Sequence, residues 1–430
     1  MAPRLHRSGR LWILDRACFE MTRFRVLSLL RTVLKWDAAG SAKSLGAPPS
    51  AAPGGGATRR GGNRVAWVDY AKGWSIVLVV VMHSALGVGF AVGENGWLHT
   101  VVAFAKPFRM PDFFLVAGLF AGRAMEGPWR IFLDRKIVHF VYFYALWLLI
   151  ALIVKSGALG LSTPSAFASA YLWGFIEPFS SMWFIQLLPI LYLATRFVRR
   201  LPAPIILLAA VVAHVAAASA PDGGVYAMGS KLTGWTSLDS FLLFFVYFYV
   251  GHRFASAIFA FAQTIGKRPV RLLAGLAAWG IAEAFGVGWG WPEWPGATLA
   301  FGFAGALAVI ACAVLLDRIG VLRALAYCGR HSLVIYLSFF LPMAASRVAL
   351  LKLGWIADVG AMSLVVAVAA VGGPLLIDRL TRGTPLAFLY ARPAWARIEP
   401  PKSAFPQRLA AIMSGARTPS GRRAEIAMAA

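Results

Sequence analysis

Residues 67–92 read WVDYAKGWSIVLVVVMHSALGVGFAV. A run of this length, nearly free of charge, is long enough to cross a bilayer, because about 20 apolar residues span the hydrocarbon core. Two of its members do not belong in hydrocarbon. Lys72 and His83 are ionisable, and an ionisable side chain at that depth is costly enough to be read first as a functional residue. Eleven residues at about 100° each make close to three turns, so Lys72 and His83 share one face, roughly 16 Å apart along the axis. Asp69, three residues before Lys72, falls on the same side within pairing distance. The plain alternatives are that Lys72 snorkels to the nearby interface and that His83 bonds a neighbouring helix.

Composition extends this reading to the whole chain. Hydrophobic residues make up 59% of the 430 and charged residues 14%, where a soluble domain carries about a quarter charged. The fold class expected is all-α: a polytopic membrane helical bundle. The formal net charge of +24 would fit a nucleic-acid binder, but the positive residues sit in tails and in short loops between apolar segments, as the positive-inside rule distributes them. No nucleic-acid partner is expected. Cys18, Cys312 and Cys328 have no paired or metal-type spacing, so neither a disulfide framework nor a metal site is expected.

About ten transmembrane helices are expected, near 67–91, 97–121, 137–154, 181–198, 203–220, 237–256, 270–288, 297–316, 331–349 and 358–377. The connections alternate between basic and base-poor, which places both termini in the cytoplasm and the chain as a multi-pass protein of the inner (plasma) membrane. Segments 156–180 and 288–296 have room for an interfacial or re-entrant piece. The halves of the chain show no self-similarity that would support an inverted-repeat transporter. Residues 1–63 form a basic N-terminal tail, in which Met21–Trp36 is short, basic and amphipathic. The membrane domain covers 64–380, and 381–430 is a basic, Pro-rich tail expected to be unstructured.

The second span is interrupted by Lys106-Pro107-Phe108-Arg109-Met110-Pro111-Asp112. Two prolines bracket two cations near mid-membrane depth, and broken backbone is tolerated there only inside protein or along a wet cavity. Acyl transfer from a thioester to a hydroxyl needs a base for the hydroxyl proton, and imidazole is the usual one. It also needs positive charge or N–H donors for the developing oxyanion. His83 suits the first role. Lys72, Lys106 and Arg109 suit the second, or bind the phosphates of coenzyme A, for which Arg has the better geometry. A proton-coupled transporter or flippase for a glycan or lipid would need the same residue types. His214, in an Ala/Val-rich span, reads as a structural hydrogen-bonder.

The motifs resemble those of the acyltransferase-3 family, integral membrane enzymes that acylate sugars, glucans, lipid-linked glycans and antibiotics. Arg64-Val65-Ala66-Trp67-Val68-Asp69-Tyr70-Ala71-Lys72-Gly73 followed by His83 is similar to the family's opening, a basic residue, ten others and a His. Lys106, Arg109, Met110-Pro111-Asp112-Phe113-Phe114 and Gly118 resemble its second helix, with Lys in place of the first Arg. Met182-Trp183-Phe184 and Gly329-Arg330-His331-Ser332-Leu333-Val334-Ile335-Tyr336-Leu337 resemble two later elements. There are departures. Many relatives carry His where this chain has Phe339, and His331 is the nearest stand-in. Asp112 stands where an apolar residue is common, placed to orient Arg109 or the His.

The resemblance implies O-acyl transfer, acetyl being the simplest group, from acyl-CoA as donor substrate to a carbohydrate or glycan hydroxyl. His83 is then the catalytic residue, with Lys72 and Arg109. Lys106, Arg109 and Lys72 bind the donor; Tyr336, Ser332 and Asp112 line the acceptor site. No resident cofactor or metal is implied, and the partners are acyl-CoA, the glycan and the lipid bilayer.

Overall fold

A computed structural model describes residues 65–220, 232–354 and 356–398. The expectations for the N-terminal tail 1–63, including Met21–Trp36, and for the chain beyond 398 fall outside the described residues. Within them the architecture is helical throughout, with no strand.

The 67–92 stretch forms α1, Ala66–Val92, ended by Gly93 in the left-handed region (φ 83°), whose N–H bonds to the Gly89 carbonyl. The second expected span splits as its sequence requires. Pro107 has no N–H to give and its ring crowds the preceding turn, so the segment becomes α2, Leu98–Ala105, and α3, Arg109–Leu119. Helix α4, Trp129–Lys155, starts eight residues before the expected 137 and contains a π-helical stretch at Leu133–Val138. The connecting segment 156–180 holds α5, Pro164–Trp173, capped by the Thr163 side chain and with no buried residue. Then come α6, Trp183–Val198, and α7, Ala203–Ala218. Helices α8, Thr236–Arg253, and α9, Ala255–Gly266, meet at a bend of 73°. They are followed by α10, Pro269–Gly288, α11, Ala297–Ile319, and α12, Arg323–Arg330. Helices α13, Ser332–Ser338, and α14, Phe340–Leu353, bend by 55°, and α15 is Val359–Thr381.

Six of these segments are long and apolar enough to cross a membrane, or eight if each bent pair is one span. The expectation of about ten is met only to that extent. Region 203–220 yields a helix of 16 residues, about 24 Å against a hydrocarbon core of about 30 Å. Region 97–121 is interrupted at Lys106–Phe108.

Helix α1 is the axis of the bundle, in contact with α2, α3, α11, α12, α13 and α15. One of its neighbours, α12, comes close because glycines let it. A Cβ on Gly73 of α1 would lie 2.0 Å from the Leu325 carbonyl oxygen of α12, and a Cβ on Gly329 of α12 would lie 1.7 Å from the Asp69 carbonyl oxygen of α1. The same reciprocity joins α3 to α8: a Cβ on Gly118 would lie 2.2 Å from the Phe248 carbonyl oxygen and one on Gly251 2.1 Å from that of Leu115. Water does not drive helices together inside a bilayer, so close backbone packing at small residues does. His214 behaves as expected, its Nδ1 lying 2.7 Å from the Leu243 carbonyl oxygen across the α7–α8 contact.

The chain does not leave the bundle at Leu380. Residues 382–398 return across it as a strap. Trp147 Nε1 donates to the Leu389 carbonyl, Tyr142 to that of Phe388, and Tyr390 to Ser338 Oγ. At the strap's end Arg392 pairs with Asp134 at 2.8 Å, both side chains under 10% exposed, and the Ile398 N–H donates to the other carboxylate oxygen. Basic, Pro-rich composition reads as disorder, yet one buried carboxylate in the π-helical stretch gives this segment a fixed partner. Removing one member of a buried pair strands the other charge at a cost of about 3–5 kcal/mol. Asp134→Ala is expected to lower the thermal midpoint in detergent accordingly; an unchanged midpoint would show that the strap contributes nothing.

Candidate active site

His83 sits half-buried on α1, and the structure surrounds it with groups from three other helices. Arg109, the first residue of α3, is 5% exposed, and its Nη2 reaches 2.7 Å from Met82 Sδ, beside His83. The break before α3 makes this possible. A continuous helix would carry Arg109 on the same regular spiral as Lys106, whereas the interruption restarts the register. Arg109 and Lys155 both act on the His83 ring with positive charge. Phe339, 1% exposed, packs its ring 5.2 Å from the imidazole.

That last contact gives the Phe339 departure a meaning. The position that the resemblance marks for a second His is the one in ring contact with His83, so this chain covers its imidazole with a hydrocarbon ring. His331 does not substitute for it. It lies eight residues earlier, about 12 Å along a helix, with Nδ1 3.0 Å from the Tyr327 carbonyl oxygen and its ring on Tyr327.

The other expected site residues are distributed along the bundle. Lys72 lies toward the Ala66 end of α1, its ammonium 5.2 Å from the Phe120 ring centroid. It is on the His83 face but about three turns away, so it is not part of the same cluster. Lys106 points a different way from Arg109. It pairs with Glu293 at 2.8 Å, in a position where both side chains are more than one-third exposed, so its charge is answered by a carboxylate instead of being offered beside Arg109. Pro107 separates the two cations, and the turn it forces sends them different ways.

Asp112 is in the first turn of α3. It is 1% exposed and accepts a hydrogen bond from Ser75 of α1, whose hydroxyl also bonds the Ala71 carbonyl. It ties α3 to α1 eight residues from His83. Tyr336 spends its hydroxyl on the Ser181 carbonyl and packs its ring on Phe184 and Phe339. It supports the wall behind His83 and positions Phe339 without touching the imidazole in these contacts. Ser332, half-buried at the start of α13, is one turn before Tyr336 and seven residues from Phe339, outside the cluster.

Two residues of the site escape the sequence reading. Lys155 ends α4 and Arg347 lies in α14. Arg347 Nη1 donates to the Gly87 carbonyl at 3.0 Å, one turn beyond His83. The signal was present, since each is a cation at the edge of an apolar run, but such residues are usually interfacial anchors.

Comparison with known proteins follows the same lines. Residues 65–377 match a family model described as an acyltransferase domain. The inner membrane protein YcfT of Escherichia coli (strain K12) is 24% identical over 233 residues, which are 49% of this chain and 62% of that protein. The chain thus spans less than two-thirds of the curated relative it matches. No solved structure matches.

Proposed function

The chain belongs to the acyltransferase-3 family, and from that premise we propose that it moves an acyl group, most simply acetyl, from acyl-CoA to a hydroxyl of a carbohydrate or glycan acceptor. The observation that carries this reading is the placement of buried Arg109 beside His83 within the matched domain. His83 removes the proton as the acceptor oxygen attacks the thioester carbon. Arg109 meets the charge that develops on the carbonyl oxygen, a contribution that in such sites is often the largest. The C–S bond then breaks, the imidazolium returns the proton to the departing thiolate, and an ester and free CoA result.

In this reading the chain is a multi-pass protein of the inner membrane with about ten spans and both termini in the cytoplasm. The Ala66 end of α1 then faces the cytoplasm, and Lys72 is placed to meet the donor's phosphates. The thioester arm must cover the roughly 16 Å from Lys72 to His83, which carries the acyl group toward the outer leaflet.

The test is release of free CoA from acetyl-CoA by membranes containing the protein, with and without a crude envelope-glycan extract. Extract-dependent release supports transfer. Uptake or flipping of a glycan without thioester consumption would instead select the transporter. Arg109→Ala is expected to lower kcat by about 10²–10³, the effect of losing one oxyanion donor, with the acetyl-CoA KM unchanged. A raised donor KM at constant kcat would assign Arg109 to donor binding alone.

A further inference from the structure

Lys155 and Arg347 come from different helices, α4 and α14, which touch through the rings of Trp147 and Phe340, and Arg347 lies toward the Val92 end of α1, beyond His83. Arg347 reaches across to the Gly87 carbonyl, and the absence of a side chain at 87 admits it: a Cβ there would stand 2.6 Å from Nη1. Lys155 holds its ammonium 4.9 Å from the Phe179 ring centroid. The field of Arg347 reaches Lys155, and that of Lys155 reaches His83. Both cations are half-buried, and neither forms an ion pair among the described residues. A cation at a helix C-terminus is ordinary by itself. Two cations drawn together, half out of water and without a carboxylate between them, repel each other unless an anion enters.

We propose that Lys155 and Arg347 receive an oxyanion carried by the acyl acceptor, so that the acceptor is an acidic glycan, held by its charge while its hydroxyl faces His83. The inference rests on the acyltransferase reading above. It separates the two charge-binding tasks along α1, with the donor toward Lys72 and the acceptor at the opposite end. Arg347 supplies the planar fork suited to carboxylate or phosphate, and Lys155 a compact second charge.

The test uses the full chain in phosphatidylcholine nanodiscs and an envelope-glycan extract divided by anion exchange into neutral and acidic pools. CoA release should follow the acidic pool. Lys155→Gln and Arg347→Gln should each raise the KM for that pool about tenfold, the loss of one charge-assisted hydrogen bond, while leaving the acetyl-CoA KM alone. Glucuronate and glucose 1-phosphate, with glucose as the neutral control, should compete with the pool; whichever is stronger identifies carboxylate or phosphate.

Equal release with the neutral pool, or an unmoved acceptor KM in both variants, would overturn the proposal. So would loss of the acidic-pool preference when phosphatidylglycerol replaces part of the phosphatidylcholine, which would assign the cations to lipid headgroups. Absence of His83-dependent release with either pool would instead sink the transferase reading and the acceptor assignment with it. Thermal stabilisation by the same small anions, compared between wild type and the two variants, would then still show whether an anion site exists.

Discussion

Membranes carrying His83→Ala are expected to release CoA about 10²–10⁴ times more slowly than wild type, the range associated with a positioned general base. The protein should remain inserted at wild-type amounts. Its imidazole is half-buried and packs on one ring, that of Phe339, and alanine is the best helix former, so α1 has no reason to fail. His83→Gln sharpens the test: glutamine can still hydrogen-bond but cannot take a proton near neutral pH, so it should be as slow as alanine. A wild-type rate in either variant would remove His83 from the chemistry.

Gly329→Leu should leave little assembled protein to assay. The added side chain would begin 1.7 Å from the Asp69 carbonyl oxygen and 2.8 Å from the Gly73 nitrogen. Both obstacles are backbone inside α1, so no side chain can swing away. Overpacking in a filled core costs about 1–3 kcal/mol even where neighbours can shift, and this site should exceed that range. Yield of monodisperse protein after detergent extraction, together with its thermal midpoint, measures the effect. Gly275→Leu in α10, where nothing lies within 4 Å of an added Cβ, is the matched control and should behave as wild type. Equal yields from the two variants would mean that the α1–α12 contact is not what holds the bundle.

Helical class and the central pair were legible because hydrocarbon penalises charge, so Lys72, His83 and Arg109 stood out in apolar runs. Direction was not legible. Lys106 and Arg109 are three residues apart and looked equivalent, but Pro107 turns one to Glu293 and the other to Met82. Ser75, a small polar residue on the facing helix, carried no sequence signal of being the partner of Asp112. Lys155 was hidden by its position at a helix end, where cations are commonplace, and Arg347 by lying close to the end of an expected span. The strap at 382–398 was hidden by composition, since its order depends on Asp134 some 250 residues earlier, a partner that no local pattern reveals.

The two glycine crossings sit at one end of the helices that carry the chemistry. From Gly73 to His83 is ten residues of α1, and from Gly118 back to Arg109 is nine of α3, arms of about 15 and 14 Å. Each arm is a lever with its fulcrum at the crossing. A tilt of roughly 4° at either fulcrum displaces the far tip by about 1 Å, an error that can cost a catalytic site about a hundredfold. Catalytic precision in this protein is therefore set at points remote from the reacting atoms, where helix backbones meet without side chains between them.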